Sequence, residues 1–448
     1  MELEAAKQLI KKYTAGHADY VRKVEVAKRY YRNENDVLFG KPKETTDDEK
    51  PLRNADNRIP RNFHGLIVNQ KASYAFTKPP TFDVGTKEGN ETVTKLLGDE
   101  YAADCMSLCV NAANASVAWV HYWDNGEGFE WAVMESEQII PVFDKGLKKK
   151  LLAVLRVYGE FDEFGEEYAV YEYWTDKVCQ SFRRNVTETI DEGLICYDMF
   201  PTMLEGEMAA EYEHGYEEVP FIPFWNNNIH TDDLKNIKRL IDVYDKVYSG
   251  FINDLEDVQE LIFILTGYGG TDLSEFLQDL KKYKAIKLDV DEGAGVNTLN
   301  IEIPIEARNS VLDATRKAIF EQGQGFDPRP ENFGNQSGEA LKFMYCLLEM
   351  KTGLMETQFR TGFNKLVRAI CRSCGISCDT IIQTWKRTCI KNDTERAQIC
   401  KDSVGVISQR TIVENHPFVE DADVELKQME KEKAAAQKEE EIYQNFAE

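Results

Sequence analysis

From Ile237 to Leu265 the apolar residues fall three or four apart or adjacent: Ile237, Leu240, Ile241, Tyr244, Val247, Tyr248, Phe251, Ile252, Leu255, Val258, Leu261, Ile262 and Leu265. That spacing predicts a helical stripe sustained for about eight turns. Thr231 is placed to cap its start, with Asp232 and Asp233 in the first turn, where the helix dipole favours negative charge. A continuous helix of that length spans roughly 50 Å, more than one compact core needs. The stretch Thr231–Arg372 therefore points to a rod-like or multi-subunit architecture.

At 448 residues the chain is long enough for two or three domains. Hydrophobic content of 42% and aromatic content of 11% exclude a disordered chain. A net charge of −24 argues against an open basic surface that grips nucleic acid, but not against DNA that must slide past. Wholly apolar runs such as Leu261–Leu265 fall far short of the roughly 18 residues a membrane span needs. Met1–Tyr13 mixes Glu and Lys with apolar residues and has no leader-like core. The expectation is a soluble, cytoplasmic protein whose ten cysteines are reduced.

In chain order, Glu2–Asn33 reads as one or two amphipathic helices and Lys41–Asp56 as a polar loop. The next stretch enters a helix around Phe63, Ile67 and Tyr74, stopped by Lys78-Pro-Pro because proline offers no N–H and disfavours helix before it. After a helical piece at Val93–Asn114, five runs rich in Val, Tyr and Trp read as strands: Ser116–Trp123, Phe129–Met134, Leu151–Val157, Glu167–Trp174 and Cys179–Arg184. They predict an α+β domain dominated by antiparallel hairpins. Glu160–Glu218 holds 17 acidic residues against 3 basic ones, a net of −14 and more than half of the whole chain's charge. Solvated turns explain that surplus most simply, with a repulsive or partner-selecting surface as the other reading. Val219–Asn228, with two prolines, reads as an extended buried connector kept off a central strand.

The first long helix is expected to end near Thr266, before Gly267-Tyr-Gly-Gly. A small α/β insertion follows at about 268–304, with a helix at Leu273–Tyr283 and strand-like runs Ala285–Val290 and Val296–Ile303. A helix from Ile305 through Phe320 leads to Glu321-Gln-Gly-Gln-Gly-Phe-Asp-Pro-Arg-Pro-Glu-Asn-Phe-Gly-Asn-Gln-Ser-Gly, which no regular element accommodates. Ser337 is a good cap for a helix over Glu339–Arg372. Beyond it a strand at Ile381–Ile390, helices at Thr394–Val404 and Ser408–Asn415, and a charged terminal helix at Lys427–Glu448 are expected.

Little of this specifies catalysis. Cys371, Cys374, Cys378 and Cys389 are spaced C-x2-C-x3-C-x10-C, which supplies only one of the two close pairs zinc usually takes. Asp289, Asp291 and Glu292 lack the glycine spacing and distal Glu of a calcium loop. No Gly-Lys-Ser/Thr follows the glycines at 267–270, so a Walker-type nucleotide site is absent. The six histidines are scattered. No cofactor and no metal is expected. A zinc- or carboxylate-dependent enzyme acting on nucleic acid stays open as the rival class.

Several segments, in order, carry a likeness: Asn57-Arg-Ile-Pro-Arg-Asn-Phe with Lys78-Pro-Pro, Val219-Pro-Phe-Ile-Pro-Phe-Trp-Asn-Asn, Asn253-Asp-Leu-Glu-Asp-Val-Gln-Glu, Gly334-Asn-Gln-Ser-Gly-Glu-Ala-Leu-Lys-Phe, and Ile407-Ser-Gln-Arg-Thr-Ile-Val-Glu-Asn-His-Pro-Phe. From about 57 to 430 the chain resembles bacteriophage portal proteins of the siphovirus type. The resemblance implies an α+β portal fold with an α/β wing, long stem helices, a small α/β clip insertion and a helical crown, assembled as a cyclic ring of typically about twelve subunits. On this sequence the wing corresponds to 1–225, the first stem helix to 226–267, the clip to 268–304 and the second stem helix to 305–322. A tunnel loop falls at 323–338, a long helix at 339–379 and the crown at 380–448.

The implied work is to pass double-stranded DNA without reading its sequence, during packaging and ejection. The implied partners are further copies of the chain, the terminase large subunit, scaffold and major capsid proteins, and a head-completion adaptor, with no membrane. The place implied is the unique vertex of the virion, after assembly in the host cytoplasm. Gln324, Arg329, Asn332, Asn335, Gln336 and Lys342 would face DNA in the tunnel loop, touching phosphates without base readout. Lys281, Lys282, Lys284, Lys287, Asp289, Asp291 and Glu292 would present the clip to motor and adaptor. The family is not an ATPase, in keeping with the missing Walker motif. Another ring-forming phage connector is the nearest alternative, and the cysteine cluster belongs to no family pattern.

Overall fold

The computed structural model describes residues 2–40, 55–124, 126, 128–202, 206–258, 262–266, 295–299, 303–329, 345–388, 393–419 and 421–445. Two helices open the chain, Leu3–Thr14 and His17–Tyr31, separated at Gly16, whose φ of +85° suits a residue without a Cβ. The helix Phe63–Phe76 is capped by Asn62, whose side-chain oxygen accepts from the Gly65 N–H at 3.0 Å, and it stops before the two prolines as expected. The single helical piece expected at Val93–Asn114 is two helices, Lys87–Leu97 and Tyr101–Ala115. Gly98, with φ of +83°, ends the first of them.

The strand readings meet the ladders they call for. Val117–Asp124 pairs antiparallel with Phe129–Met134 on one side and with Phe221–Trp225 on the other, forming a three-stranded sheet. Pro223 can sit there because Phe221–Trp225 is an edge strand. A six-stranded antiparallel sheet is built around Ile139–Phe143, Leu151–Phe161, Glu167–Trp174 and Val178–Asn185. Ile139–Phe143 went unread because Pro141 demotes a strand signal, yet it lies at the sheet edge, where proline is tolerated. Trp119, Val154, Trp174 and Phe221 fill the space between the two sheets, and Ala6 and Ile10 of the first helix cover Leu155, Tyr171 and Phe182 on the larger one.

The long helical stripe is shorter than its periodicity suggests. The helix occupies Lys238–Val258. Its expected start fails because Asn226 and Asn227 both donate to the Thr231 carbonyl, at 2.9 and 2.8 Å, while the Asp233 side chain is drawn into the interior. Asp232 accepts from the Lys235 N–H at 2.8 Å, and a turn through Leu234–Ile237 precedes the helix. At the other end Ile262–Thr266 is a strand, paired antiparallel with Gly295–Leu299. A five-residue apolar run fits either period, and the partner strand decides.

Helix Ile305–Gly323 packs beside Lys238–Val258 through Tyr244, Ile319 and Phe320, with Arg308 paired to Asp254 and set over the Phe251 ring at 5.5 Å. The helix Cys346–Ser373 is the spine of the largest core, where Met355, Phe359, Phe363 and Leu366 meet Phe76, Leu108, Cys109 and Phe224. The strand expected at Ile381–Ile390 is confined to Ile382–Thr384, paired with Thr81–Asp83. The chain ends in helices Asp393–Asp402, Gln409–Asn415 (capped by Ser408) and Ala422–Asn445. The readings at Leu273–Tyr283, Ala285–Val290 and Ser337 lie outside the described residues.

Gly362 of the spine helix faces the Phe224 ring so closely that a Cβ would lie 2.6 Å from it. Gly362→Ala is expected to lose about 1–3 kcal/mol by overpacking despite the better helix propensity of alanine, read as a lower urea midpoint with unchanged slope.

Candidate functional site

The broken stripe leads to a buried ionic joint. Asp233, 6% exposed at its side chain, accepts from the Lys71 ammonium at 2.6 Å and faces the Lys351 ammonium at 3.1 Å. Asn226 donates to the other carboxylate oxygen at 2.8 Å and accepts from Lys71 at 2.6 Å. Lys351 also donates to the Gly323 carbonyl at 2.8 Å. Four elements meet here: helix Phe63–Phe76, the connector before the first long helix, the end of Ile305–Gly323, and the spine helix. Burial by itself favours a neutral carboxyl at Asp233, but the two ammonium charges and the donated hydrogen bonds outweigh it and hold the group well below its usual range. Burial depresses Lys351, with Asp233 opposing. Beside the joint, His64 Nε2 bonds the Asn114 side-chain oxygen at 2.8 Å, and burial pushes its pKa down to about 4.

From this joint the irregular segment departs. Gln324 takes a left-handed conformation, φ 53°, and the Gly325 N–H returns to the Phe320 carbonyl at 3.0 Å. A Cβ on Gly325 would meet Gln70 Oε1 at 2.9 Å and Ile67 Cγ1 at 3.0 Å, so the turn leaves no room for a side chain. Gln70 grips the Phe326 backbone on both sides, donating to its carbonyl at 2.8 Å and accepting from its N–H at 3.1 Å. Asp327 then accepts from Arg316 at 2.6 and 2.9 Å and from Arg329 at 2.9 Å, and Arg329 reaches Asp313 at 3.0 Å. Burial opposes the charge on Asp327, yet these hydrogen bonds keep its carboxyl below the usual range. The Phe326 and Tyr345 rings lie 5.1 Å apart and Tyr345 stacks on Tyr74 at 5.8 Å, so the segment leaves and returns at one place.

Of the residues named for the tunnel loop, Gln324 and Arg329 sit at this root, half-buried, with Arg329 held by two carboxylates. Asn332, Asn335, Gln336 and Lys342 lie outside the described residues, as do Lys281, Lys282, Lys284, Lys287, Asp289, Asp291 and Glu292. Sequence reasoning missed Lys71, Asp233 and Lys351. The signal within reach was Asp233 itself, an acid beside the apolar Leu234 at a helix start that Asp232 could have served alone.

The cysteine cluster resolves into packing and surface. Cys371 is buried in the spine core, Cys378 is half-buried and Cys374 is exposed, and Cys389 lies outside the described residues. Among the described residues no group of three or more His, Cys, Asp or Glu is placed to hold a metal ion, and no helix is long and apolar enough to cross a membrane.

A continuous family match stands over this architecture. The model of the phage portal proteins, SPP1 Gp6-like, matches residues 10–439. The portal protein of Clostridium phage phiCD119 is 40% identical over 472 aligned residues, covering all of both chains. That of Bacillus phage SPP1 is 30% identical over 423 aligned residues, covering 90% of this chain and 82% of its own. A solved structure, the neck of an empty gene transfer agent (GTA) particle, aligns over 78% of this chain and 88% of that one, at 11% identity and a TM-score of 0.46. The class is therefore a structural component of the phage head-to-tail connector, with the portal fold, and not an enzyme. This chain belongs to the SPP1-type phage portal protein family.

Removing Asp233 leaves two buried ammonium groups uncompensated, so Asp233→Ala is expected to cost about 3–5 kcal/mol, whereas Lys351→Met leaves the Lys71 pair intact and costs clearly less. Thermal unfolding of the two variants side by side checks the order. The unfolded chain takes up the His64 proton near pH 6.5 and the folded chain only at about 4, so this contribution is complete above 6.5 and drains as pH falls toward 4. His64→Gln should flatten that part of the stability profile by about 3 kcal/mol.

Proposed function

We propose that this chain is the subunit of a closed portal ring, of about twelve copies, at the unique capsid vertex of the virion. Double-stranded DNA passes through its channel on packaging and again on ejection. Assembly takes place in the host cytoplasm with scaffold and major capsid proteins, the terminase large subunit docks for packaging, and a head-completion adaptor replaces it afterwards. The observation that carries the reading is the family match over residues 10–439.

The geometry supports an assignment of parts. Residues 1–225 make the wing, 226–267 and 305–322 the stem, 268–304 the clip, 323–338 the tunnel loop, 339–379 the long helix and 380–448 the crown. Two antiparallel helices packed side by side suit a stem, and the ladder between Ile262–Thr266 and Gly295–Leu299 suits the neck of an insertion that projects from it. In the clip Lys281, Lys282, Lys284, Lys287, Asp289, Asp291 and Glu292 meet motor and adaptor. In the loop Gln324, Arg329, Asn332, Asn335, Gln336 and Lys342 brush the duplex. Arg329 enters with its charge offset by Asp327 and Asp313, which suits contact that must not hold.

Native mass spectrometry of the full chain, with electron micrographs of the same sample, tests the ring. A closed assembly of about twelve chains with a central channel is expected. A compact monomer that stays monomeric at high concentration and with scaffold present overturns the reading.

A further inference from the structure

Helix His17–Tyr31, the strand ends near Val117 and Ile139, and the 225–239 connector enclose an open cavity of about 840 Å³. That lies within the roughly 300–1,000 Å³ of sites that bury a bound group. Its walls are apolar and aromatic, with Val26, Trp119, Ile139, Pro141 and Trp225 facing it, the last stacked on His230 at 3.7 Å. Its rim is basic. Lys23, Lys235 and Arg239 are exposed there and form no ion pair among the described residues, whereas Arg22 is tied to Asp19, and Lys238 to Asp36 and Asp242. Of the rim acids, Asp19 is taken by Arg22, and Asp232 caps the turn at Lys235. Lys149 adds charge nearby: after burial, it is the group that lowers the pKa of His230. Unspent positive charge around an apolar hollow is unexpected in a chain of net −24.

The complementary surface is on the same chain and out of its own reach. Leu151–Phe161 runs 11 residues, roughly 33 Å from end to end at about 3 Å per residue, away from the Lys145–Lys150 turn. At its far end the turn into Glu167–Trp174 exposes Phe161 (69%) and Phe164 (91%) among Asp162, Glu163, Glu166 and Glu167. The turn is pre-shaped. Asp162 accepts from the Phe164 and Glu166 N–H groups at 2.9 and 2.8 Å, and Gly165 takes φ +81°. Two exposed phenylalanines on an ordered acidic turn invite burial by an apolar, basic-rimmed partner.

We propose that this turn of one copy seats Phe164 in the cavity of the next copy, with Glu163 and Glu167 against Lys23 and Arg239. The contact joins two different surfaces, so it repeats head to tail and closes a ring where the rotation closes. It rests on the portal-ring reading and names a wing surface that holds the ring together.

Full-length chains carrying Lys23→Glu with Arg239→Glu, or Glu163→Lys with Glu167→Lys, test it by native mass spectrometry and salt-dependent assembly. Each pair alone is expected to lower ring yield about tenfold or more, and the four changes together to restore it. Phe164→Ser should lower it at any salt. All of these positions are exposed, and an unchanged thermal midpoint of the monomer confirms folding. Rings that form normally with Lys23→Glu and Arg239→Glu overturn the contact while leaving the ring reading standing. Yield lost in both pairs but not restored by their combination also overturns it, and points to a different acidic occupant of the cavity. A wild-type chain that never forms rings overturns the ring reading, and this contact with it.

Discussion

One buried carboxylate holds this structure in register. Asp233 receives ammonium groups from two helices distant in sequence, and one of those ammonium groups reaches on to the last carbonyl of a third helix. Desolvated charges give little net stability against well-packed apolar groups, but they accept few arrangements. Any slip of the spine helix along its neighbours separates Lys351 from either Asp233 or Gly323. The joint therefore acts less as glue than as a gauge that sets four elements at one spacing. It also explains why the first long helix begins late: Asp233 is committed to the interior, and its backbone N–H is bound to the Ala113 carbonyl at 2.8 Å.

Charge outside the joint is arranged differently. The chain concentrates acid between Glu160 and Glu218, while Arg316 and Arg329 at the root of the irregular segment spend their charge on Asp327 and Asp313. A duplex brought near this root would meet guanidinium groups that are already partnered. Under the proposed function that is a working condition, because every unpaired cation facing phosphate releases counterions on contact and adds a salt-dependent hold. Unpaired cations among the described residues, Lys23, Lys235 and Arg239, lie instead around the cavity beside helix His17–Tyr31, where the proposed contact would use them.

The hairpins were legible because their information is local. Period-two runs of Val, Tyr and Trp between acidic or glycine turns mark Phe129–Met134 and Glu167–Trp174 to the residue. The proline stop after Phe76 is likewise decided within a few residues, whereas Ser408, read as the start of a helix, caps it instead, and Phe221–Trp225, read as part of an extended connector, is an edge strand. The ionic joint was not legible, since Lys71, Asp233 and Lys351 share no spacing and become neighbours only through packing. The end of the first long helix failed for a related reason: Ile262–Thr266 satisfies a helical stripe as well as a strand, and its partner at Gly295–Leu299 is far along the chain. Composition marked an irregular stretch after the second long helix, of which Gln324–Arg329 is described, but that its root is rigid follows from Gln70, which no local pattern connects to Phe326.

That rigidity bears on how force would travel. The outgoing arm is pinned by Gln70 to helix Phe63–Phe76 and by Lys351 to the spine helix, and the returning arm meets it where Tyr345 packs against Phe326 and Tyr74. Tyr74 in turn donates to Glu349 at 2.6 Å, one turn into the spine helix, and Arg387 bridges Glu349 and Glu356 from outside. A push on the loop therefore cannot be absorbed at its base by backbone rotation alone. It is passed to two helices that are locked to each other by the same aromatic core, and from the spine helix to Phe224 and the three-stranded sheet. Under the proposed function, a load on this root is carried into the packed core of the subunit.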